Sequence, residues 1–281
     1  MALTTTDHDR GAAGLTYVYP VISRRARGVS VGINLNTNNA CNWRCIYCQV
    51  PGLVRGKAPA IDLEKLRSEL RSFLQDVVRG DFMTREVPED SRRLNDIAFS
   101  GNGEPTSSAE LGRALEVVAS VRAELALGPE VKTILITNGS LVDRPHVVQA
   151  LERLRALGGE VWFKLDTATR EGFQRINATA IDPAAHLARL RRSAALCPTW
   201  VQTCVFALDG APPDATEKAA YLAALGGLVR EGVPLAGVLL YGLARPSQQP
   251  EAPRLTRLPD AWIEAFGREI GALGLRVQAS P

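Results

Sequence analysis

Hydrophobic and polar positions follow two different periods along this chain. Val29–Asn36 (VSVGINLN) alternates apolar with small or polar residues, the period-two pattern of a strand. From Asp62 the period changes. Leu63, Leu66, Leu70, Phe73, Leu74 and Val77 recur at helical spacing, behind an Asp suited to cap the first turn. The exchange then repeats. Short apolar runs at Asp96–Ser100, Thr133–Thr137, Val161–Asp166, Trp200–Leu208 and Leu235–Tyr241 read as strands. Helical periods separate them, from Ser107 to about Leu127, Pro145 to Leu157, Asp182 to Leu196 and Ala215 to Glu231, with a last one from Pro259 to about Leu273. Ser107 and Glu110 have the S-x-x-E form of a capping box, and Pro183 follows Asp182 at a first helical position. The charged, irregular stretch from Arg79 to Arg93 is predicted to be a surface loop.

Strand–helix alternation predicts a parallel sheet with helices outside it, with six strands counted from Val31. Whether such a sheet closes or stays open, the chemistry sits at the carboxyl ends of its strands. Residues 1–14 read as a flexible tail and residues 15–281 as one domain. The segment from about Arg245 carries Pro246, Pro250, Pro253 and Pro259, and is predicted to be a stiff wrap that closes the open side over substrate.

Composition narrows the class. The 281 residues are 46% apolar and 22% charged, which excludes global disorder. A net charge of +3 without any Lys/Arg run makes no case for a polyanionic partner. No apolar stretch reaches the roughly 18 residues needed to cross a bilayer. The N-terminus MALTTTDHDRGAAG has no secretory pattern, so a cytoplasmic location is expected. The five Cys are an odd number in a chain with no secretory pattern, which argues against a disulfide framework.

Three of those Cys fall between Cys41 and Cys48, as Cys41-Asn-Trp-Arg-Cys45-Ile-Tyr47-Cys48. Thiolates so close on a loop can converge on one centre, and soft thiolates select zinc, copper(I) or an iron–sulfur cluster. A zinc site needs a fourth ligand, and His8, His146 and His186 all lie far off in sequence. A 4Fe–4S cluster on three thiolates leaves one iron open, as a catalytic centre requires. Cys197 and Cys204 are expected to be small buried side chains.

This cysteine spacing, with Tyr47 before the last Cys and a strand just upstream, resembles the signature of the radical S-adenosylmethionine (radical SAM) superfamily. The resemblance implies a partial (β/α)6 TIM-like barrel. It implies a 4Fe–4S cluster on Cys41, Cys45 and Cys48, with SAM chelating the open iron. Reductive cleavage of SAM then gives a 5′-deoxyadenosyl radical that abstracts hydrogen from substrate. Ser100–Thr106 (SGNGEPT) resembles the family's Gly-Gly-Glu-Pro element, with Asn102 where the first Gly is usual. On that reading Gly103 lets the backbone approach the methionyl group and Glu104 pairs with the SAM ammonium. A dinucleotide fingerprint fails, because Thr106 stands where its third Gly belongs. Asn138, Lys164 and Asp166, at polar strand ends, are candidate contacts to the SAM ribose or carboxylate. Gln202, with Thr203 beside it, is a further candidate, and Tyr47 is expected beside the adenine. No residue is singled out for the hydrogen-transfer step itself.

The order of motifs adds to this. GINL before CNWRCIYCQV, then SGNGEPT, ITNG, VWFKLD, the group Phe173, Arg175, Ile176 and Asn177, and VQT resembles one branch of the superfamily. That branch holds the tRNA wybutosine-synthesis (imidazoline-forming) enzymes and their bacterial relatives, and the likeness covers about residues 20–245. It implies a tRNA base or nucleoside-like substrate and a reductant such as flavodoxin or ferredoxin. The archaeal members carry a second cluster on three N-terminal Cys, whereas residues 1–40 here contain none. The wybutosine tricycle is therefore not the expected product. The alternatives are a radical SAM enzyme or activase acting on another small molecule or a protein, and a non-catalytic iron–sulfur or zinc binding module. Arg24, Arg25 and Arg27, with Arg153, Arg155, Arg189, Arg191 and Arg192, read either as phosphate contacts or as solvated surface.

Overall fold

The computed structural model describes residue 3, residues 14–23 and residues 28–280. The strands are β1 (Val18–Ser23), β2 (Gly28–Asn34), β3 (Ala40–Cys41), β4 (Val54–Arg55), β5 (Leu94–Ser100), β6 (Lys132–Thr137), β7 (Glu160–Lys164), β8 (Thr199–Val205), β9 (Ala207–Leu208), β10 (Leu235–Gly242), β11 (Leu255–Thr256) and β12 (Val277–Ser280). The helices are α1 (Leu63–Arg79), α2 (Phe82–Glu86), α3 (Leu111–Glu124), α4 (Pro145–Ala156), α5 (Arg170–Asn177), α6 (Pro183–Leu196), α7 (Ala215–Arg230) and α8 (Asp260–Gly271).

Eight strands form one curled sheet in the order β1-β2-β5-β6-β7-β8-β10-β12. β1 runs antiparallel to β2, and every other neighbouring pair is parallel because the chain returns through helices outside the sheet. β2 and β8 are buried along their whole length, as strands covered on both faces must be. The result is the expected partial (β/α)6 TIM-like barrel. Its six strands are β2, β5, β6, β7, β8 and β10, extended by β1 on one edge and β12 on the other.

The outer layer forms where the helical periods predicted it. Leu66, Leu70 and Leu74 of α1 join Leu111, Leu115 and Val118 of α3 in the main core. Asp62, Asp182 and Asp214 cap α1, α6 and α7 by accepting from the Lys65, Ala185 and Glu217 amides at 3.0, 3.0 and 2.9 Å. The opposite face of the strands turns inward. Ala98, Ile134, Trp162, Trp200 and Leu239 make a separate apolar plug in the lumen. Glu160 accepts from both of its indoles, at 3.0 and 3.3 Å. Two residues further along the same strands, the inward side chains turn polar at Ser100, Lys164, Gln202 and Tyr241. These polar ends, with Ala98 and Trp162 of the plug beneath them, contribute to the cavity described below.

Several elements depart from the sequence expectation. The stretch 79–93 is not all loop: Phe82 of α2 buries itself against the Phe73 ring, 4.9 Å away, and a turn of 3-10 helix follows at Glu89–Ser91. The capping box does not form. Helix α3 begins at Leu111, while the Ser107 hydroxyl donates to the Glu104 carbonyl at 2.7 Å and accepts from the Ala58 amide at 2.9 Å. The wrap after Arg245 contains a strand after all, since β11 pairs antiparallel with β9. β1, α5 and β12 were not expected. The predicted tail, apart from residues 3 and 14, and the cluster Arg24, Arg25 and Arg27 lie outside the described residues. Among the described residues no helix is long and apolar enough to cross a membrane.

The residues leading into edge strand β1 are tied to α1 by a carboxylate. Glu69 of α1 accepts from the Thr16 and Tyr17 amides at 3.0 and 2.8 Å. Glu69→Ala removes the acceptor from both amides and is expected to cost about 1–3 kcal/mol, with Glu69→Gln costing less. Urea denaturation of the three proteins checks this; equal midpoints would show that the two carboxylate bonds do not contribute to stability.

Candidate active site

Cys41 is the last residue of β3, and Cys45 and Cys48 follow on the loop that leads to β4. That loop is fastened on two sides. On one, Gly56 N donates to Cys41 O at 3.1 Å, and the Arg44 and Ile46 amides donate to Asn177 O and Ile176 O at 3.2 and 2.9 Å. Arg55 adds bonds to the carbonyls of Asn42, at 2.8 Å, and Ala178. On the other side the segment after Arg245 lies against the loop. The Ser247 hydroxyl donates to Ile46 O at 2.7 Å, Gln248 N to Cys48 O at 2.9 Å, and Gln249 Nε2 to Val50 O at 3.0 Å. Arg44 and Glu251 close the clasp with two bonds of 2.8 and 2.7 Å. The expected wrap is therefore a strap on the cysteine loop.

Asparagines tie the loop to the strand ends. Five of the nine residues from 34 to 42 are Asn. An amide side chain is donor and acceptor at once, so each can bridge two segments. Asn34 Oδ1 accepts from the Asn36 and Asn102 amides, both at 3.0 Å. Asn36 Nδ2 donates to Ala40 O at 2.8 Å, and Asn102 Nδ2 to Asn39 Oδ1 at 2.7 Å. Asn138 Nδ2 reaches Asn42 Oδ1 at 2.8 Å. Asn102, the departure from the family's usual Gly, is thus part of this lattice. Glycine is required on either side of it. Gly101 has φ +130°, and a Cβ on Gly103 would lie 1.9 Å from the carbonyl oxygen of Ala40, the residue before Cys41.

Glu104 is 2% exposed, and both its oxygens are engaged by the protein. Oε1 accepts from Thr106 N at 3.0 Å, Thr106 Oγ1 at 2.5 Å and Thr137 Oγ1 at 2.6 Å, and Oε2 accepts from Asn138 N at 2.6 Å. Burial raises its pKa, and these donors oppose the rise.

A cavity of 330 Å³ opens above the plug, lined by Cys41, Cys45, Tyr47, Cys48, Gly103, Glu104, Asn138, Lys164 and Gln202. The structure thus brings nine of the ten candidate residues into the lining of one cavity. The tenth, Asp166, lies behind Tyr47 and faces a second cavity of 400 Å³. Tyr47 Oη donates to Asp166 Oδ2 at 2.6 Å and accepts from Lys164 Nζ at 2.9 Å. Asp166 also accepts from Cys204 N at 3.0 Å and from Asn177 Nδ2 at 2.8 Å. Burial is the largest single influence on Lys164 and works to lower its pKa, but Asp166, Tyr241, Cys45 and Cys204 together reverse it and the net direction is up. Burial raises the Tyr47 pKa, and the charge of Asp166 adds to the rise. Gln202, on β8 beside Lys164, is 3% exposed, and its Oε1 has no hydrogen-bond partner among the described residues.

Beyond these candidates the expectations divide. Cys197 and Cys204 are buried, as expected, and neither forms a disulfide; Cys204 also contributes to the cavity lining. Arg189, Arg191 and Arg153 bond to Asp143, Glu231 and Glu116 at 2.7, 2.6 and 3.2 Å, so these surface cations are paired. Sequence reasoning missed Thr106, Thr137, Ser247 and Gln249, whose polar atoms hold the site from behind. It quoted Asn177 only as part of a motif; its side chain donates to Cys45 Sγ at 3.2 Å.

The cysteine wall fits the implied cluster. Burial raises the Cys41 pKa and pushes that of Cys45 up to about 12, so both are neutral thiols that give up protons to a metal. Among the described residues no three Cys, His, Asp or Glu side chains gather around a single ion. A 4Fe–4S cluster asks for something else, three thiolates that each meet their own iron, and three thiols on one cavity wall answer that description.

Comparison with known proteins agrees. The Radical SAM superfamily model matches residues 35–220. A "UPF0026 protein" of Helicobacter pylori is 30% identical over 163 residues, which is 56% of this chain and 44% of that relative. The match thus spans under half of the relative's own length. Among solved structures, "Structure of TYW1 with a lysine-pyruvate adduct bound" has a TM-score of 0.56 at 14% identity, covering 88% of this chain and 74% of that one. HydG, titled a maturase of the FeFe-hydrogenase, has the same TM-score and identity over 86% of this chain and 48% of its own. At that identity the likeness concerns the fold.

Two outcomes are expected from this geometry. Gly103→Ala must push Ala40 and hence Cys41 aside, so the variant should take up less iron per chain on anaerobic reconstitution while keeping its helical content. Wild-type iron content would show that the loop yields instead. The second concerns His186, which is buried against Trp43, Phe163 and Phe173 with ring centroids 5.4, 4.8 and 5.2 Å away. Its Nε2 donates to Lys164 O at 3.0 Å, and burial pushes its pKa down to about 4. The unfolded chain therefore binds a proton that the folded one refuses. Stability is full above the ordinary value of about 6.5 and falls as pH drops towards 4. Between pH 7 and pH 5 the loss should be about 2 kcal/mol. Denaturation at both pH values should show a flatter dependence in His186→Gln, and identical slopes would remove His186 as the cause.

Proposed function

The chain belongs to the radical SAM superfamily, and from that premise we propose that it is an enzyme that abstracts hydrogen from a tRNA base or nucleoside-like substrate. The superfamily's cofactors are a 4Fe–4S cluster and SAM. The observation that carries the site assignment is the sharing of one cavity by the thiols of Cys41, Cys45 and Cys48 and the polar ends of β5, β6, β7 and β8. When both cofactors are bound, they supply a 5′-deoxyadenosyl radical as the hydrogen-abstracting agent.

The chain's own residues bind and orient the cofactors. Cys41, Cys45 and Cys48 hold the cluster. The lattice of Asn34, Asn36, Asn42, Asn102 and Asn138 fixes their loop against the strand ends. Gly103 leaves room for the methionyl group, and Glu104 faces its ammonium from a buried, anchored position. Asn138 and the Lys164 ammonium suit a carboxylate or ribose hydroxyls, with Asp166 acting behind them through Tyr47 and Lys164. The Tyr47 ring, 5.5 Å from the Phe206 ring and 5.2 Å from Lys164 Nζ, would lie beside the adenine. Gln202 offers an unpaired amide oxygen to a donor on the bound group.

The substrate class rests on the motif order shared with the wybutosine branch and on the fold shared with TYW1. A protein or another small molecule is the second reading, since the maturase HydG shares the fold at the same TM-score, over 48% of its own length. The lysine–pyruvate adduct in the TYW1 title is not carried over. A reductant such as flavodoxin or ferredoxin supplies the electron, in the cytoplasm.

The test is anaerobic reconstitution with iron and sulfide, reduction by dithionite, addition of SAM, and detection of 5′-deoxyadenosine by mass spectrometry. The wild type should release it, and Cys45→Ala should lose both the 4Fe–4S spectrum and the product. A cluster that forms without binding or cleaving SAM would support a non-catalytic binding module instead. Full iron retention in Cys45→Ala would remove the cysteine assignment.

A further inference from the structure

Asn177 closes α5 with a side chain that is fully buried yet used entirely for donation. Its relative exposure is 0%. Nδ2 donates to Cys45 Sγ at 3.2 Å and to Asp166 Oδ2 at 2.8 Å, while Oδ1 has no partner among the described residues. The orientation of the amide is dictated by its neighbours. The Asp166 carboxylate is an acceptor only, so the opposite orientation would set the amide oxygen against it. A buried carbonyl oxygen without a partner is a cost, and the two donor bonds oppose it. The same residue's backbone carbonyl receives Arg44 N at 3.2 Å. The loop is thus anchored by main-chain bonds that do not need the side chain, which leaves the amide N–H for another purpose.

We propose that Asn177 is a positioning residue that raises the reduction potential of the cluster by donating a hydrogen bond to the Cys45 sulfur, with Asp166 fixing the amide in the donating orientation. This rests on the reading of Cys41, Cys45 and Cys48 as the cluster ligands. Reduction adds negative charge that spreads onto the sulfurs. A fixed N–H dipole aimed at one of them stabilises the reduced form more than the oxidised one. Trp43 N donates to Cys41 Sγ in the same sense at 3.4 Å, but a backbone donor cannot be varied by substitution. Asn177 can, and through Asp166 it also connects the sulfur to Tyr47 and Lys164 in the cofactor cavity. A cluster with a raised potential is easier for a soluble electron carrier to reduce.

The experiment compares wild type with Asn177→Leu, a donor-free side chain of similar shape, and Asn177→Ala. Each is reconstituted, and iron, sulfide and circular dichroism are measured. The reduced cluster is then titrated against potential by electron paramagnetic resonance. Both variants should load the cluster and keep their fold. At a fixed poise they should show a ratio of reduced to oxidised cluster roughly three- to tenfold lower than wild type, the size of one hydrogen bond. An unchanged midpoint in a loaded variant would overturn the proposal. So would failure of both variants to take up a cluster, since Asn177 would then be needed for assembly rather than potential. Wild-type protein that takes up no 4Fe–4S cluster would instead overturn the ligand reading, and iron and sulfide analysis distinguishes that case before any variant is titrated.

Discussion

At the carboxyl end of β5 a carboxylate is held out of water by four donors from two neighbouring strand ends. Glu104 takes its bonds from Thr106 on its own turn and from Thr137 and Asn138 at the end of β6. Those bonds fix the spacing of the two strand ends, and the Gly103 backbone rides directly beneath Ala40. Lengthening any of these contacts would move Cys41 relative to Asn138, because Asn42 bridges them. A buried charge is tolerable only when its lone pairs are filled, so the donor set and the position of the cysteine loop are a single constraint.

The polar ends of the strands are not independent of the apolar plug below them. Trp162 and Lys164 are two residues apart on β7, as are Trp200 and Gln202 on β8, and period-two alternation sends all four inward. A one-residue slip of either strand would put its indole against the helices and its amide or ammonium in the core. The register that buries the indoles therefore also delivers Lys164 and Gln202 to the cavity, with Glu160 satisfying both indole N–H groups as a check on that register.

Much of this was legible in the amino-acid sequence, for physical reasons. The barrel strands and their helices announce themselves because each buries a periodic face, and Asp62 and Asp182 mark helix starts by the chemistry of an unsatisfied amide. The three Cys stand out because few other uses require three thiols in eight residues. What stayed hidden depends on partners distant in sequence. Ser107 looked like a helix cap, yet its hydroxyl is taken by Glu104 and Ala58, and nothing local predicts that choice. α5 spans only eight residues, too few for its period to show. Asn177 looked like one letter of a motif, since only the fold brings it to Cys45, 132 positions away. Ser247 and Gln249 lie in a stretch whose prolines signal stiffness and say nothing of what it touches.

The clasp on the cysteine loop has a bearing on how the protein is made. Ser247 reaches Ile46 across 201 residues of chain, and Glu251 reaches Arg44 across 207. During synthesis the cysteine-bearing segment leaves the ribosome long before the residues that secure it. Until they arrive, the loop lacks one of its two fastenings. Whatever order the rest of the fold forms in, the final seating of the three thiols waits on residues 247–251, near the far end of the sequence.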